Sequence, residues 1–148
     1  MAAHLWFFYA LGSAIIWGFS YALSEKVLKA GIQPSFLMVV TGVITLFGSI
    51  ALCTSLGQFK SGLNLLSNDK SLLAVIFAVA VSYVVGNLLI YMAVAAKNAT
   101  YASLIEISYP AFVALFAFLF YKEVQFSFYT AMGGLLIFTG VAIIYTKS

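Results

Sequence analysis

Residues 71–96 read SLLAVIFAVAVSYVVGNLLIYMAVAA, an apolar run without a single charged position. Coiled as a helix at 1.5 Å per residue, such a run is long enough to cross a hydrocarbon layer about 30 Å thick. A membrane-spanning β-strand needs only about ten residues and alternates apolar with polar positions. This run is too long and does not alternate, so it reads as a helix. Four more largely apolar stretches flank it, at about 5–29, 34–55, 99–121 and 127–145. The expected fold is an all-α integral membrane protein, a bundle of five transmembrane helices, organised as a single domain over 1–148.

The composition agrees. The chain has 148 residues, of which seven are Lys or Arg (all Lys) and four are Asp or Glu, while 64% are hydrophobic. A soluble domain is roughly a quarter charged, and a disordered chain needs low hydrophobicity and high charge. Both classes are excluded. The seven Lys are scattered over connections and ends, so neither nucleic acid nor a polybasic lipid contact is expected. The first apolar run has no Lys or Arg before it and is too long for a signal peptide's core, so it reads as a membrane helix. Cys53 is the sole cysteine; it allows no internal disulfide and reads as an inert small residue.

Local signals mark where the helices stop and start. Glu25 and Lys29 form an i, i+4 pair in the favoured order. Gly31 then supplies a cap and Pro34 opens the next helix. Gly57 is a further cap, and residues 57–70 read as the longest connection, with Asp69 or Ser71 capping the next helix. Asn98-Ala99-Thr100 matches the glycosylation sequon, but its place against the membrane makes Asn98 an expected helix cap.

Inside the spans, small residues recur at spacing four. Ala10, Ala14, Gly18 and Ala22 share one face, as do Ala74, Ala78, Ser82 and Gly86; the last span carries Gly133, Gly134 and Gly140. Helices in lipid associate by close contact at such residues, so these faces are expected to pack, within this chain or against a second copy. Polar stripes also occur: Thr41, Thr45, Ser49 and Cys53; Tyr83, Asn87 and Tyr91; and Ser13, Trp17, Ser20, Tyr21 and Ser24 on neighbouring positions. Ser and Thr commonly bond back to their own helix. The Asn87 amide is costly to bury and is expected to need a partner beyond its own helix, facing the interior or a polar cavity. Tyr9, Tyr101, Tyr121, Tyr129 and Tyr145 lie near span ends and fit an interfacial belt. Trp17, Tyr83, Tyr91 and Tyr109 lie deeper and could line a solute path.

Glu106 is the most informative position. It lies roughly 10 Å along the 99–121 span, where a carboxylate is costly and marks a functional site by default. Pro110 follows four residues later and removes the N–H that the Glu106 carbonyl needs, so a helix kink is expected beside the carboxylate. Such a group can carry a proton or, ionised, hold a cation. The alternative is a structural hydrogen bond to a Lys, Tyr or Ser. The expected proton, cation or substrate-binding set is Glu106, Asn87, Tyr83, Tyr91, Trp17 and Tyr109. Neither a metal nor a cofactor is called for.

The segment NATYASLIEISYPAFVALFAFLFYKEVQFSFYTAMGGLLIFTGVAIIYTK, residues 98–147, resembles the last two helices of an EamA domain, the repeat unit of the drug/metabolite transporter superfamily. The shared features are the small-residue start, Pro110, the acidic Glu123 after it, and the Gly-rich last helix ending in Gly140-Val141. Trp17-Gly18 and Pro34 also fit. Thr41 stands where many members carry an Arg. The resemblance implies transport without naming a substrate, since members move amino acids, nucleotide sugars, drugs or lipid-linked sugars. It also implies a bacterial inner (plasma) membrane. Members usually carry two inverted repeats with the path between them, whereas this chain looks like one.

A lone repeat invites a second half, as a homodimer or a heterodimer. With the N-terminus placed inside, Lys60, Lys70 and Lys122 face inward and Lys26, Lys29, Lys97 and Lys147 outward. Positive charge sets orientation, and here it sets none. The expectation is dual topology and an antiparallel dimer, a secondary transporter that moves a small organic solute by alternating access with Glu106 as the proton or cation site. The alternative is a lipid or lipid-linked sugar flippase subunit, with a different half-size partner. A scaffold would need neither Glu106 nor Asn87. An enzyme is not expected, because the spans hold no Ser–His or paired-Asp arrangement and the single His is His4.

Overall fold

The computed structural model describes residues 4–124 and 127–147. These form seven helices, with no strand among the described residues: α1 (Leu5–Lys29), α2 (Pro34–Ser55), α3 (Phe59–Asn68), α4 (Lys70–Ala96), α5 (Ala99–Glu106), α6 (Tyr109–Tyr121) and α7 (Phe128–Lys147). Five segments are long and apolar enough to cross a membrane: α1, α2, α4, the α5–α6 pair and α7. The all-α membrane bundle read from the sequence is the fold.

The local punctuation falls where the residues call for it. Gly31 and Gly57 adopt left-handed backbone, with φ of 97° and 66°, a conformation that costs a side-chain-bearing residue more than glycine. Asp69 caps α4 by accepting the Ser71 N–H at 2.9 Å, and Asn98 caps α5 by accepting the Tyr101 N–H at 2.8 Å. Glu25 and Lys29 form their ion pair on α1. Thr41 bonds back to the Leu37 carbonyl at 2.8 Å.

Two expectations are corrected. The connection at 57–70 contains the ten-residue helix α3. Phe59, Leu63 and Leu66 recur at i, i+4 and i+7 and give it an apolar face, and it packs against α4. The 99–121 span is broken rather than kinked. α5 ends at Glu106, α6 starts at Tyr109, and Pro110 sits in the first turn of α6. The missing Pro110 N–H is the cause. Around it the chain makes tighter bonds, from Ser108 N–H to Ile105 carbonyl and from Ala111 N–H to Ser108 carbonyl, each at 3.2 Å.

α4 is the hub of the bundle and touches α1, α2, α3 and α5, while α7 leans on α5. Close packing is concentrated at one end, where α1 and α4 finish and α2 and α5 begin. Leu28, Tyr91, Val94, Ala99 and Ala102 are buried there, with Leu37 and Met38 of α2 against them. Ser24 is buried on α1 one turn before Leu28. The Glu25 carboxylate ties this end together, because its Oε2 accepts the Ala99 N–H at 2.7 Å. It thus links α1 to the first residue of α5.

Of the two packing partners expected for the small-residue faces, this chain itself does not supply one at the glycines. A Cβ added at Gly18, Gly86, Gly133, Gly134 or Gly140 would meet nothing within 4 Å. Among the described residues, no neighbouring element comes into contact distance of these positions. Tight contact inside the chain falls to alanines instead: Ala99, Ala102, Ala114 and Ala117 are buried.

Candidate functional site

The glycine faces of α1 and α4 open a cavity. It holds about 740 Å³ and is walled by α1 from Ala10 to Tyr21, by α4 from Tyr83 to Ile90, and by the stretch from Ser103 to Tyr109 around the helix break. Ala10, Ala14 and Gly18 line it from one side and Gly86 from the other. The small residues that lipid exposure alone would assign to helix contact here make room.

The floor lies at a definite level. On α1 the lining stops at Tyr21 and burial begins at Ser24. On α4 it stops at Ile90, and the next residue, Tyr91, is buried. On α5 Ala102 is buried and Ser103 begins the wall. The packed end therefore closes the cavity on the side where Glu25 binds α5.

Glu106 lies in this cavity, half-buried, at the last residue of α5. Tyr21 Oη donates to Glu106 Oε2 at 2.7 Å, a charge-assisted bond when the carboxyl is ionised. The hydroxyl comes from α1 and the carboxyl from α5, so the bond joins two helices directly above the packed layer. Trp17 lies one turn before Tyr21 on the same face, with ring centroids 5.9 Å apart and planes tilted by 44°.

Of the residues expected at the site, Glu106, Asn87, Tyr83, Trp17 and Tyr109 all line this one cavity. Tyr91 does not. It faces the packed end, 7% exposed, among Leu28, Val94 and Ala99. Asn87 carries a correction, because its amide nitrogen finds a partner on its own helix: Nδ2 donates to the Tyr83 carbonyl at 2.9 Å. A side-chain amide one turn along the helix reaches that carbonyl much as a Ser or Thr hydroxyl does. Tyr21 was absent from the expected set. Its signal was its i+4 spacing from Trp17, which puts both aromatics on one helix face.

A second hollow, about 390 Å³, lies between α6 and α7 and is lined by Pro110, Ala114, Gly133, Gly134 and their neighbours. Among the described residues, no charged side chain lines it. α6 ends at Lys122, which takes left-handed backbone with φ of 58° and holds its ammonium 5.5 Å from the Phe118 ring centroid.

A model of the EamA-like transporter family matches residues 4–146. The chain belongs to that family. The match runs through the described helices from α1 to α7, so the break at Pro110 and the Glu106 cavity both lie inside the EamA-like region. Members are transporters, and this EamA-like protein is accordingly an integral membrane transporter of the drug/metabolite type, in contact with lipid and with a solute. Comparison with curated proteins and with solved structures gives no match.

Proposed function

We propose that this chain is one half of a secondary transporter for a small organic solute, working by alternating access in a bacterial inner membrane. The observation that carries the reading is the cavity closed at one end by packed side chains and holding Glu106 beside a broken helix. Alternating access needs a site that one face of the membrane reaches while the other is shut. The packed end, tied by Glu25 to α5, is the shut face. A two-residue break directly after Glu106 lets α5 and α6 move separately around it, and Glu106 serves as the proton or cation coupling group.

The working unit is a dimer, antiparallel and of dual topology. Its support is the near-even split of Lys, three against four, between the two sides and the open, small-residue face along α7. A second copy inserted the other way would complete the inverted pair of repeats.

Purified protein in proteoliposomes tests the transport reading. Glu106→Gln is expected to fold and dimerise yet lose pH-coupled uptake, and unchanged pH-dependent uptake would remove Glu106 from the role. Reporters fused to the C-terminus are expected on both sides of the membrane; a single side would end the dual-topology proposal. A stoichiometric second protein drawn from the native membrane would favour the flippase-subunit alternative.

A further inference from the structure

The chemistry of the cavity wall selects among solutes. Among the described residues, Glu106 is the single acidic member of the lining, and the lining holds no Lys, Arg or His. Four aromatic side chains, Trp17, Tyr21, Tyr83 and Tyr109, share the wall with it. We propose that the cargo is an amphipathic organic monocation, its charged nitrogen held by the Glu106 carboxylate and its apolar part laid against these rings. This deepens the transport reading above and rests on it.

Charge balance is the first support. An ionised carboxylate at membrane depth with no cationic side chain beside it favours a positive guest and repels a negative one, and low dielectric strengthens both effects. A zwitterion brings its own carboxylate. Against that group the described wall offers only neutral donors: the hydroxyls of Ser13, Ser103 and the tyrosines, the Asn87 amide and the Trp17 indole N–H.

The helix break adds to the same sign. Glu106 is the last residue of α5, where the terminal carbonyls carry partial negative charge. The opposing positive end of α6 is blunted at its start. Pro110 has no N–H, and the Ala111 N–H is given to the Ser108 carbonyl at 3.2 Å.

The rings act through their faces. An aromatic quadrupole attracts a cation, most strongly for Trp, and the attraction grows on desolvation. Tyr21 performs two tasks. Its ring lies beside Trp17 at 5.9 Å, and its hydroxyl holds Glu106 Oε2 at 2.7 Å, orienting Oε1 as the contact for the guest. The cavity, about 740 Å³, suits a drug-sized guest, since such sites hold about 300–1,000 Å³.

The test uses benzyltrimethylammonium and its uncharged isostere neopentylbenzene. Both are titrated into the purified full chain carrying Trp6→Phe, which leaves Trp17 as the sole indole. The cation is expected to change Trp17 fluorescence saturably and to bind at least tenfold more tightly than the isostere. Glu106→Gln is expected to weaken the cation at least tenfold and leave the isostere unchanged, while Glu106→Asp keeps most of the cation affinity. Equal binding of cation and isostere, or cation binding indifferent to Glu106→Gln, overturns the proposal. Should Glu106→Gln fail to fold, the cation–isostere ratio on the unaltered acidic chain decides. Proteoliposome uptake separates the two readings. Glu106-dependent uptake of neutral or zwitterionic solutes without cation binding overturns the cation class and leaves transport standing. Glu106-dependent cation binding with no uptake of any solute leaves the site standing and removes transport.

Discussion

The two ends of this bundle use small residues in opposite ways. Where α1 and α4 finish, Ala99 and Ala102 let α5 approach closely, and Leu28, Tyr91 and Val94 fill the remaining space. On the far side of Tyr21, Ala10, Ala14, Gly18 and Gly86 face one another across a cavity, where a Cβ added at either glycine would meet nothing within 4 Å. Small side chains permit contact in lipid but do not compel it. Whether they make a seam or a hollow depends on how far apart the neighbouring helices are held. Here the large residues Tyr21, Tyr83 and Trp17 occupy the cavity wall and line the space that the small ones leave.

The contrast can be broken by enlarging a small residue at each end. Gly86→Leu is expected to abolish solute uptake in proteoliposomes while leaving the unfolding temperature in detergent almost unchanged, because the new side chain enters open space. A clear drop in thermal stability would mean that Gly86 is a packing residue after all. Ala102→Leu is expected to do the reverse. It overpacks the closed end and costs about 1–3 kcal/mol, read as a lowered unfolding midpoint. An unchanged midpoint would show that this end is not closely packed.

A milder change sharpens the closed end. Glu25→Gln removes the ion pair with Lys29 and the charge on the acceptor of the Ala99 N–H, but keeps an oxygen in place. A modest loss of protection from hydrogen exchange at Ala99 is expected, with the cavity residues unaffected. Protection lost at Tyr21 and Ser103 as well would show that the latch holds the cavity open, not merely its floor.

The smallest effect lies outside the spans, at the start of α4. The Ser71 hydroxyl and N–H hold the Asp69 carboxyl below the usual carboxylate range. A depressed carboxylate stabilises the fold above its unfolded pKa, near 3.9, and that contribution disappears as pH falls through the lower folded value. Amide exchange at Ser71 should therefore quicken only below about pH 4. Asp69→Asn, which caps without a charge, should flatten the dependence. A flat profile in the unaltered chain would show that Asp69 does not support the cap.

What could be read directly was local. Gly31, Gly57, Asp69 and Asn98 end or begin helices through their own backbone and side-chain chemistry, and each does so in the structure. Five of the six expected site residues share one cavity because each is aromatic or polar at membrane depth, where such groups avoid lipid. Tyr91 satisfied the same rule by another route, its ring entering the packed end. The helix at 59–68 was hidden by its polar composition, although its apolar spacing was present.

The sequence alone determined that the chain spans a membrane with five apolar segments, that their ends lie at glycine, proline and capping residues, and that Glu106 beside Pro110 is the costly group to explain. Each of these comes from interactions within a few residues, or from the thickness of the bilayer. Only the tertiary structure decided that Tyr21 donates to Glu106 across 85 positions of sequence, that Glu25 reaches the Ala99 N–H across 74, and that the glycine faces are hollow. In water, an apolar stripe reveals which face of a helix turns inward. In lipid both faces are apolar, so that signal is absent, and the inward face is set by which side chains fit together.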